Sequence, residues 1–422
     1  MSEISQLIRL SAAELETVLD KHVMFRAARL GGERAILKQY DFSKQSLRGR
    51  DLSHADFTGT SFFQADLRDT KLDYATMFGA DLRLSNLQGA SLVRSDMRGA
   101  SLRGANLIGA DLTGVDLREG ILASRDRKGN LTSQLDSLDM ASGGADFSGA
   151  NLTDARLSGA IAVDTNFSDA TMCGCKIVRA NLAGANFAGA NLEGADLSLC
   201  DLRAANMCDA VLVNAAMRLA NMADVNMSGA MTNEPIGPSI NDLPAPIEDM
   251  LRWHTLWVGS NGREGKQMDV SGYDLRRGHN FTRACLTMVK AAKASLYGVN
   301  FSDAQLQASD LREADLRHAN FQSADMRGCD MRGARLNNAN LQGVKLEPLP
   351  LGGGRALKAE MRNATLRYAN LSGATLRQVN FQGADLSYAN LLGADLTGAN
   401  LEGANLEGAR VNPSQQSLGG RT

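Results

Sequence analysis

A large apolar residue returns at every fifth position along most of this chain, and that beat excludes the ordinary ways of folding. In residues 381–409 it falls on Phe381, Leu386, Leu391, Leu396, Leu401 and Leu406. Two places before each later beat stands a small residue (Ala384, Ala389, Ala394, Ala399, Ala404), and Asp or Asn lies between the two. The same pattern runs from Phe42 to Leu122, from Phe147 to Met227 and from Phe281 to Val411. An α-helix repeats about every 3.6 residues and a strand about every 2, so neither keeps a period of five on one face. Each unit must be a short extended segment plus a turn. One unit cannot bury its own apolar residue, so the units must wind and stack on one another.

Phenylalanine sets the size of the coil. Phe147, Phe167 and Phe187 are evenly spaced, as are Phe281, Phe301 and Phe321, and the spacing of Phe42 and Phe62 is the same twenty residues. Four units per turn place each set in a column on one face. Backbones stacked this way pair at about 4.8 Å. Only 5% of residues are aromatic, too few for an ordinary mixed core, so Leu and Ala must fill the interior. The 42 glycines and the Asn and Asp residues suit the corners, where turns need permissive dihedrals.

These units resemble the pentapeptide-repeat family, whose motif is A(D/N)LxX, over most of the chain. The resemblance implies an all-β solenoid, a right-handed quadrilateral β-helix. The central Leu, Phe or Met and the small residue two places earlier point inward, and the other three positions face solvent.

Three segments break the beat. Residues 123–143 are polar and read as a loop from one face. Residues 347–358 carry Pro and Gly, yet Leu346, Leu351, Ala356 and Met361 keep the phase, so a loop and a distorted coil both fit. The third break, 231–274, differs in kind. Residues 4–29 read as helical, with Ser11 and Glu14 as a capping box and Leu15, Val18, Leu19, His22 and Phe25 as a stripe. Ile247, Met250, Leu251, His254 and Trp257 repeat that spacing, which points to a tandem duplication of a helical cap plus a β-helix. The expected organisation is a cap at 1–40, a first array at 41–230, a linker and second cap at 231–274, a second array at 275–411 and a polar tail at 412–422. Within the linker, 232–246 holds four of the seven prolines and reads as an extended connection. The caps, with Leu19, His22, Phe25, Leu251, His254 and Trp257 at their centres, would cover first coils that otherwise expose backbone and apolar side chains. The last coil has no matching cap, which points to covering by the tail or to a homodimer through the C-terminal coil, as some family members form.

The sequence offers little chemistry. Cys175, Cys200 and Cys329 occupy the small inward position, as slightly larger alanines. Cys173 and Cys175 resemble a metal-binding fragment but would point to opposite sides of the wall. His22 and His254 recur at equivalent cap positions and read as structural. His54 and His318 fall on outward positions, expected to be solvated, and His279 is the fifth histidine. No nucleophile elbow, phosphate loop or metalloprotease helix occurs. The many Asp residues follow the repeat rather than a cleft, and read as turn and wall residues. No enzymatic activity, metal or cofactor is expected.

Charge balances overall, 45 Lys and Arg against 47 Asp and Glu, so direct nucleic-acid binding is not expected. It is uneven locally. Residues 142–230 hold nine acids against five bases, and 274–346 hold seven acids against eleven bases. Asp385, Asp395, Glu402 and Glu407 sit in a stretch without a base and are the candidate partner-docking residues. A cytoplasmic, non-catalytic scaffold for an unknown protein partner is the leading reading. Two alternatives come from the resemblance. One is mimicry of the DNA duplex to bind DNA gyrase, as for the quinolone-resistance relatives. The other is an exported effector or membrane-associated regulator, although no transmembrane segment is expected.

Overall fold

A computed structural model describes residues 7–118, 123–125, 131–133, 144–276 and 280–412. The chain forms two compact units, residues 1–233 and 234–422.

Each pentapeptide makes one turn and one bridge. In the unit centred on Leu52, the Ala55 N–H donates to the Leu52 carbonyl at 3.0 Å. The residue two after the centre takes a positive φ, +67° at His54. Glycine adopts this conformation without strain and fills many of these corners, Gly49 and Gly59 among them. The Asp or Asn before the centre bends its side chain over the turn, as when the Asp51 carboxylate accepts the Ser53 N–H at 3.1 Å. The same residue bridges in parallel to its counterpart one coil on, Asp41 to Ser61 and Asp51 to Lys71. Where the position is Asn, side-chain amides also form ladders, Asn166 to Asn186 to Asn206 to Asn226 at 3.1–3.2 Å.

The centres and the small residues fill each shaft. Phe147, Phe167 and Phe187 form one column with ring centroids 5.1 Å apart. Phe281, Phe301 and Phe321 form another, at 5.2 and 5.0 Å. Aromatic columns of this kind add to the stability gained from burial alone.

Helix α1 spans Ala12–Arg26 and buries Leu15, Leu19 and His22. Ser11 and Glu14 make the reciprocal capping box: the Ser11 hydroxyl accepts the Glu14 N–H, and the Glu14 carboxylate accepts the Ser11 N–H at 2.8 Å. The helix is shorter than the expected 4–29, because Ile8 bridges Tyr40 and extends the sheet instead. The first coil also begins earlier than residue 41, with Ala35 and Leu37 buried and Ile36 bridging Asp56. In the second unit helix α2, Ile247–Gly259, buries Ile247, Met250 and His254, and coil pairing starts at Asp269 rather than near 275. The segment expected as a plain extended linker joins this coil. Pro238 accepts the Asp274 N–H at 2.8 Å, as Ile8 accepts the Asp41 N–H at 2.8 Å in the first unit.

The insertions leave the coil on whole units. Of 123–143, only strands β1 (Ala123–Arg125) and β2 (Leu131–Ser133) are described; they pair antiparallel. Across the insertion the coil step rises from 20 to 45 residues, Asp111 meeting Arg156. In the second unit β3 (Leu349–Gly352) and β4 (Arg355–Leu357) form a hairpin, and the step there is 30 residues. This settles the open choice at 347–358. Leu351 and Ala356 keep the sequence phase but stand exposed on the hairpin, outside the coil.

The hairpin should therefore be dispensable. Deleting 348–357 removes two whole units and puts Lys358 at the positive-φ corner, a place Lys44 and Lys293 already occupy. We expect the melting temperature to move by a few degrees at most. A fall of ten degrees or more in a thermal melt would show that the hairpin holds the coil.

Candidate interaction surfaces

The cysteines of the described interior are held as thiols. The Cys175, Cys200 and Cys329 thiols are buried and each donates, at 2.8 Å, to a carbonyl of the preceding coil: Leu152, Ile177 and Leu306. Thr60 and Ser309 use the same inward position and the same carbonyl geometry. Burial pushes the thiols up, Cys200 to about 11 and Cys329 to about 12, which keeps them protonated and unreactive. Cys173 lies part-exposed while Cys175 is buried, so the two do not converge. Among the described residues no group of three or more His, Cys, Asp or Glu could hold a metal ion.

The two cap histidines do the same job. His22 Nδ1 accepts the Ala35 N–H at 3.0 Å, and His254 Nδ1 accepts the Met268 N–H at 3.0 Å. Each is fully buried, and each Nε2 lacks a hydrogen-bond partner. Phe25 stacks on His22 and Trp257 on His254, at 5.8 and 5.7 Å. Leu19 is buried on the inner face of the first cap; Leu251 and Trp257 are half-buried, and Phe25 is 39% exposed. Burial lowers both histidine pKa values, so both rings are neutral at pH 7.

On the walls, Arg two residues after Asp folds back in a two-pronged fork. Arg68 on Asp66, Arg83 on Asp81, Arg312 on Asp310, Arg327 on Asp325 and Arg332 on Asp330 all do so at 2.6–2.9 Å. The Arg68 hydrogen bond, with its charge, brings Asp66 down to about 2. Exposed pairs of this kind add little stability, but they hold guanidinium planes against the wall. The signal was in the sequence as a recurring Asp-Leu-Arg or Asp-Met-Arg tripeptide, and counting net charge alone passed over it. Arg312, Arg332 and Arg362 fall in one column on successive coils, because the hairpin carries the register from Asp330 to Glu360. Arg362 pairs with Glu360 at 2.9 Å.

The four acids singled out from sequence do not share one face. Coil register sets Asp385 and Glu407 on one side, Glu402 on the next side and Asp395 on the side opposite Asp385. Asp395 accepts from Thr397 and from Arg377, at 2.5 Å for the latter, which brings it down to about 2. Asp385 lies 3.9 Å from Arg367. Glu407 accepts from the Tyr388 hydroxyl at 2.6 Å, and Glu402 from Gln382 at 3.2 Å.

Of the outward histidines, His54 is exposed and stacks on Tyr74, with centroids 5.1 Å apart and planes 4° apart. His318, expected to be solvated, is half-buried beside Tyr297, and burial together with the Arg317 charge lowers it to about 4. His279 lies outside the described residues. Sequence reading also missed a cleft of about 400 Å³ where α1 meets the first wall, lined by Phe25, Arg26, Arg34, His54 and Tyr74. His54 and Tyr74 are one coil apart in the sequence, but nothing along the chain marks their meeting with Phe25, Arg26 and Arg34.

A family model, pentapeptide repeats (8 copies), matches residues 41–83, 80–118, 143–177, 165–203, 200–231, 294–333, 309–347, 351–383 and 376–412, well over half of the chain. No curated protein matches. Among solved structures, a trypsin-treated form of QnrB1, a plasmid-mediated fluoroquinolone resistance protein, is 20% identical over 47% of this chain and 89% of its own, with a TM-score of 0.35. HetL, a pentapeptide-repeat protein involved in heterocyst differentiation regulation in the cyanobacterium Nostoc sp. strain PCC 7120, is 21% identical over 95% of this chain and 96% of its own, with a TM-score of 0.16. Rfr23, a pentapeptide-repeat protein of the cyanobacterium Cyanothece 51142, is 27% identical over 27% of this chain and 61% of its own, with a TM-score of 0.13.

Proposed function

The chain belongs to the pentapeptide-repeat family, with the family's right-handed quadrilateral β-helix, and from that premise we propose that it is a non-catalytic scaffold in the cytoplasm that presents rigid walls to a protein partner. One observation carries the reading. Both shafts are packed with Leu, Phe, Met and Ala, so the chemistry that can meet another molecule is on the surface. A solenoid is suited to this use, because stacked coils give long walls of fixed spacing. Among the described residues no helix is long and apolar enough to cross a membrane.

The docking face we favour is the column of Arg312, Arg332 and Arg362. Each guanidinium is already held by an acid, so little side-chain freedom is lost when a partner binds. The same forks weaken the gyrase reading, because a wall whose carboxylates are paired to Arg lacks the continuous negative charge of a duplex. Leu401, Leu406 and Val411 are half-buried at the last described coil, which supports a contact with a second copy there.

The test compares wild type with two charge-reversal variants in affinity capture from the native host. One is Arg312→Glu/Arg332→Glu/Arg362→Glu. The other is Asp385→Lys/Asp395→Lys/Glu402→Lys/Glu407→Lys. We expect the arginine variant to melt close to wild type, since exposed pairs contribute about 0–1 kcal/mol each, and the acid variant to melt somewhat lower, because Asp385 and Asp395 also accept the turn N–H groups of Ser387 and Thr397. The arginine variant should lose the captured partner at least ten-fold. Retention of the same partner by both variants would overturn the docking face. Inhibition of gyrase supercoiling at micromolar protein would favour the duplex-mimic reading over the scaffold.

A further inference from the structure

The cleft beside the first cap has an internal control in the second unit. His22 and His254 mark equivalent cap positions, and Ala35 and Met268 make the same N–H contact to them. From the next residue back the match continues. Arg34 Nε donates to the His54 carbonyl at 2.5 Å, and Gln267 Nε2 donates to the Met288 carbonyl at 2.8 Å. Both contacts tie the cap connection to a positive-φ corner of the coil, and a neutral Gln performs that task in the second unit. One coil on from His54 stands Tyr74; one coil on from Met288 stands Ala308. Arg26 follows Phe25, whereas Val258 follows Trp257.

The framework thus forms without the two guanidiniums, the imidazole or the phenol. In the first unit those groups converge. His54 and Tyr74 stack face to face in near-parallel planes as an exposed two-ring stack, with Tyr74 48% exposed. Phe25 faces the same cleft, and Arg26 and Arg34 line it with positive charge. Asp51 makes a loose pair with Arg26 at 3.6 Å, which leaves Arg34 as the main anion anchor. Its Nε is used on the wall, and no acceptor for its terminal nitrogens lies among the described residues. The cleft volume falls in the ~300–1,000 Å³ range of small-molecule sites. A planar ring that extends this stack from an outer face places a substituent toward the guanidiniums, which bind phosphate and carboxylate with paired donors.

We propose that the cleft formed by Phe25, Arg26, Arg34, His54 and Tyr74 is a binding site for a small aromatic anion of the nucleoside monophosphate class. The site does not depend on the scaffold reading, and its test involves no protein partner. The full chain is titrated by isothermal calorimetry with adenosine 5′-monophosphate, adenosine and inorganic phosphate in separate arms. Saturable binding of the monophosphate is expected, at least ten-fold tighter than either fragment. Two variants import the second unit's residues and so preserve the fold: Arg34→Gln, after Gln267, and Tyr74→Ala, after Ala308. Each should weaken the monophosphate at least ten-fold with an unchanged melting temperature. Absence of saturable heat up to about 10 mM ligand would overturn the proposal, a range that covers weak small-molecule binding. So would wild-type affinity in both variants, or equal affinity for phosphate alone.

Discussion

Leu192→Asp is expected to abolish the cooperative melt of the coils around it at 25 °C. Leu192 is fully buried and its N–H donates to the Val211 carbonyl one coil on. Above and below it in the shaft stand Met172 and Leu212, both buried. The cluster Leu192 belongs to is made of apolar side chains and the buried thiols of Cys175 and Cys200. A carboxylate there would lose its hydration and find no partner, at a cost of several kcal/mol. That is comparable to the whole stability of a domain, typically about 5–15 kcal/mol. Each coil touches only its neighbours, so the damage should spread from the broken coil toward the end of the array. Leu316→Asp, between Leu296 and Leu336, should do the same in the second unit. Leu192→Met keeps the volume and should cost less than about 1.5 kcal/mol. Circular dichroism melts of the three variants check this; an Asp variant melting within two degrees of wild type would mean these positions do not point into the shaft.

Acidification is expected to release both caps. His22 and His254 each hold a backbone N–H of the first coil through an unprotonated Nδ1. Desolvation lowers both pKa values in the folded state. For His22, Arg26 and Arg34 add to the lowering, while Ser53 and Asp51 oppose it; for His254, the Thr287 and Leu286 backbone opposes it. The unfolded state therefore binds more protons as pH falls below the ordinary histidine value. The contribution of these residues is complete above about pH 6.5 and is lost as pH drops from there toward the folded-state value. Protonation removes the acceptor and leaves the Ala35 or Met268 N–H unpaired, at about 1–3 kcal/mol for each cap. Hydrogen exchange at pH 7.5 and 5.0 should show protection factors at Ala35 and Met268 falling at least ten-fold, with mid-array amides unchanged. His22→Asn, whose side-chain oxygen can accept the same N–H without titrating, should remove the pH dependence at Ala35. Equal protection at both pH values in wild type would refute the prediction.

Much of the architecture was legible because the five-residue beat is local and repeated. Phe147, Phe167 and Phe187 carried the coil size in their spacing, and Ser11 with Glu14 carried the start of α1. The errors came where a single long-range contact decides. Ile8 could have continued a helix, but pairing with Tyr40 satisfies its backbone and joins the sheet. Leu351 and Ala356 keep perfect phase because the hairpin replaces two whole units, so phase alone could not separate coil from insertion. His318 sits at an outward position, yet Tyr297 and Arg317 crowd it.

Within the uninterrupted coils the sequence by itself determined which side chains enter the shaft, because there inward and outward follow from position within each unit. Only the tertiary structure decided which residues meet on a wall beside an insertion, because that depends on which units leave the coil. Arg332 lies over Arg362, not over Gly352, for that reason. The spread of Asp385, Asp395, Glu402 and Glu407 around the coil, by contrast, follows from the twenty-residue turn, which reading them as one charged stretch ignored. The cleft at α1 needed a further step: the twenty-residue spacing stacks His54 under Tyr74, but only a helix packed across the first coil brings Phe25, Arg26 and Arg34 to them.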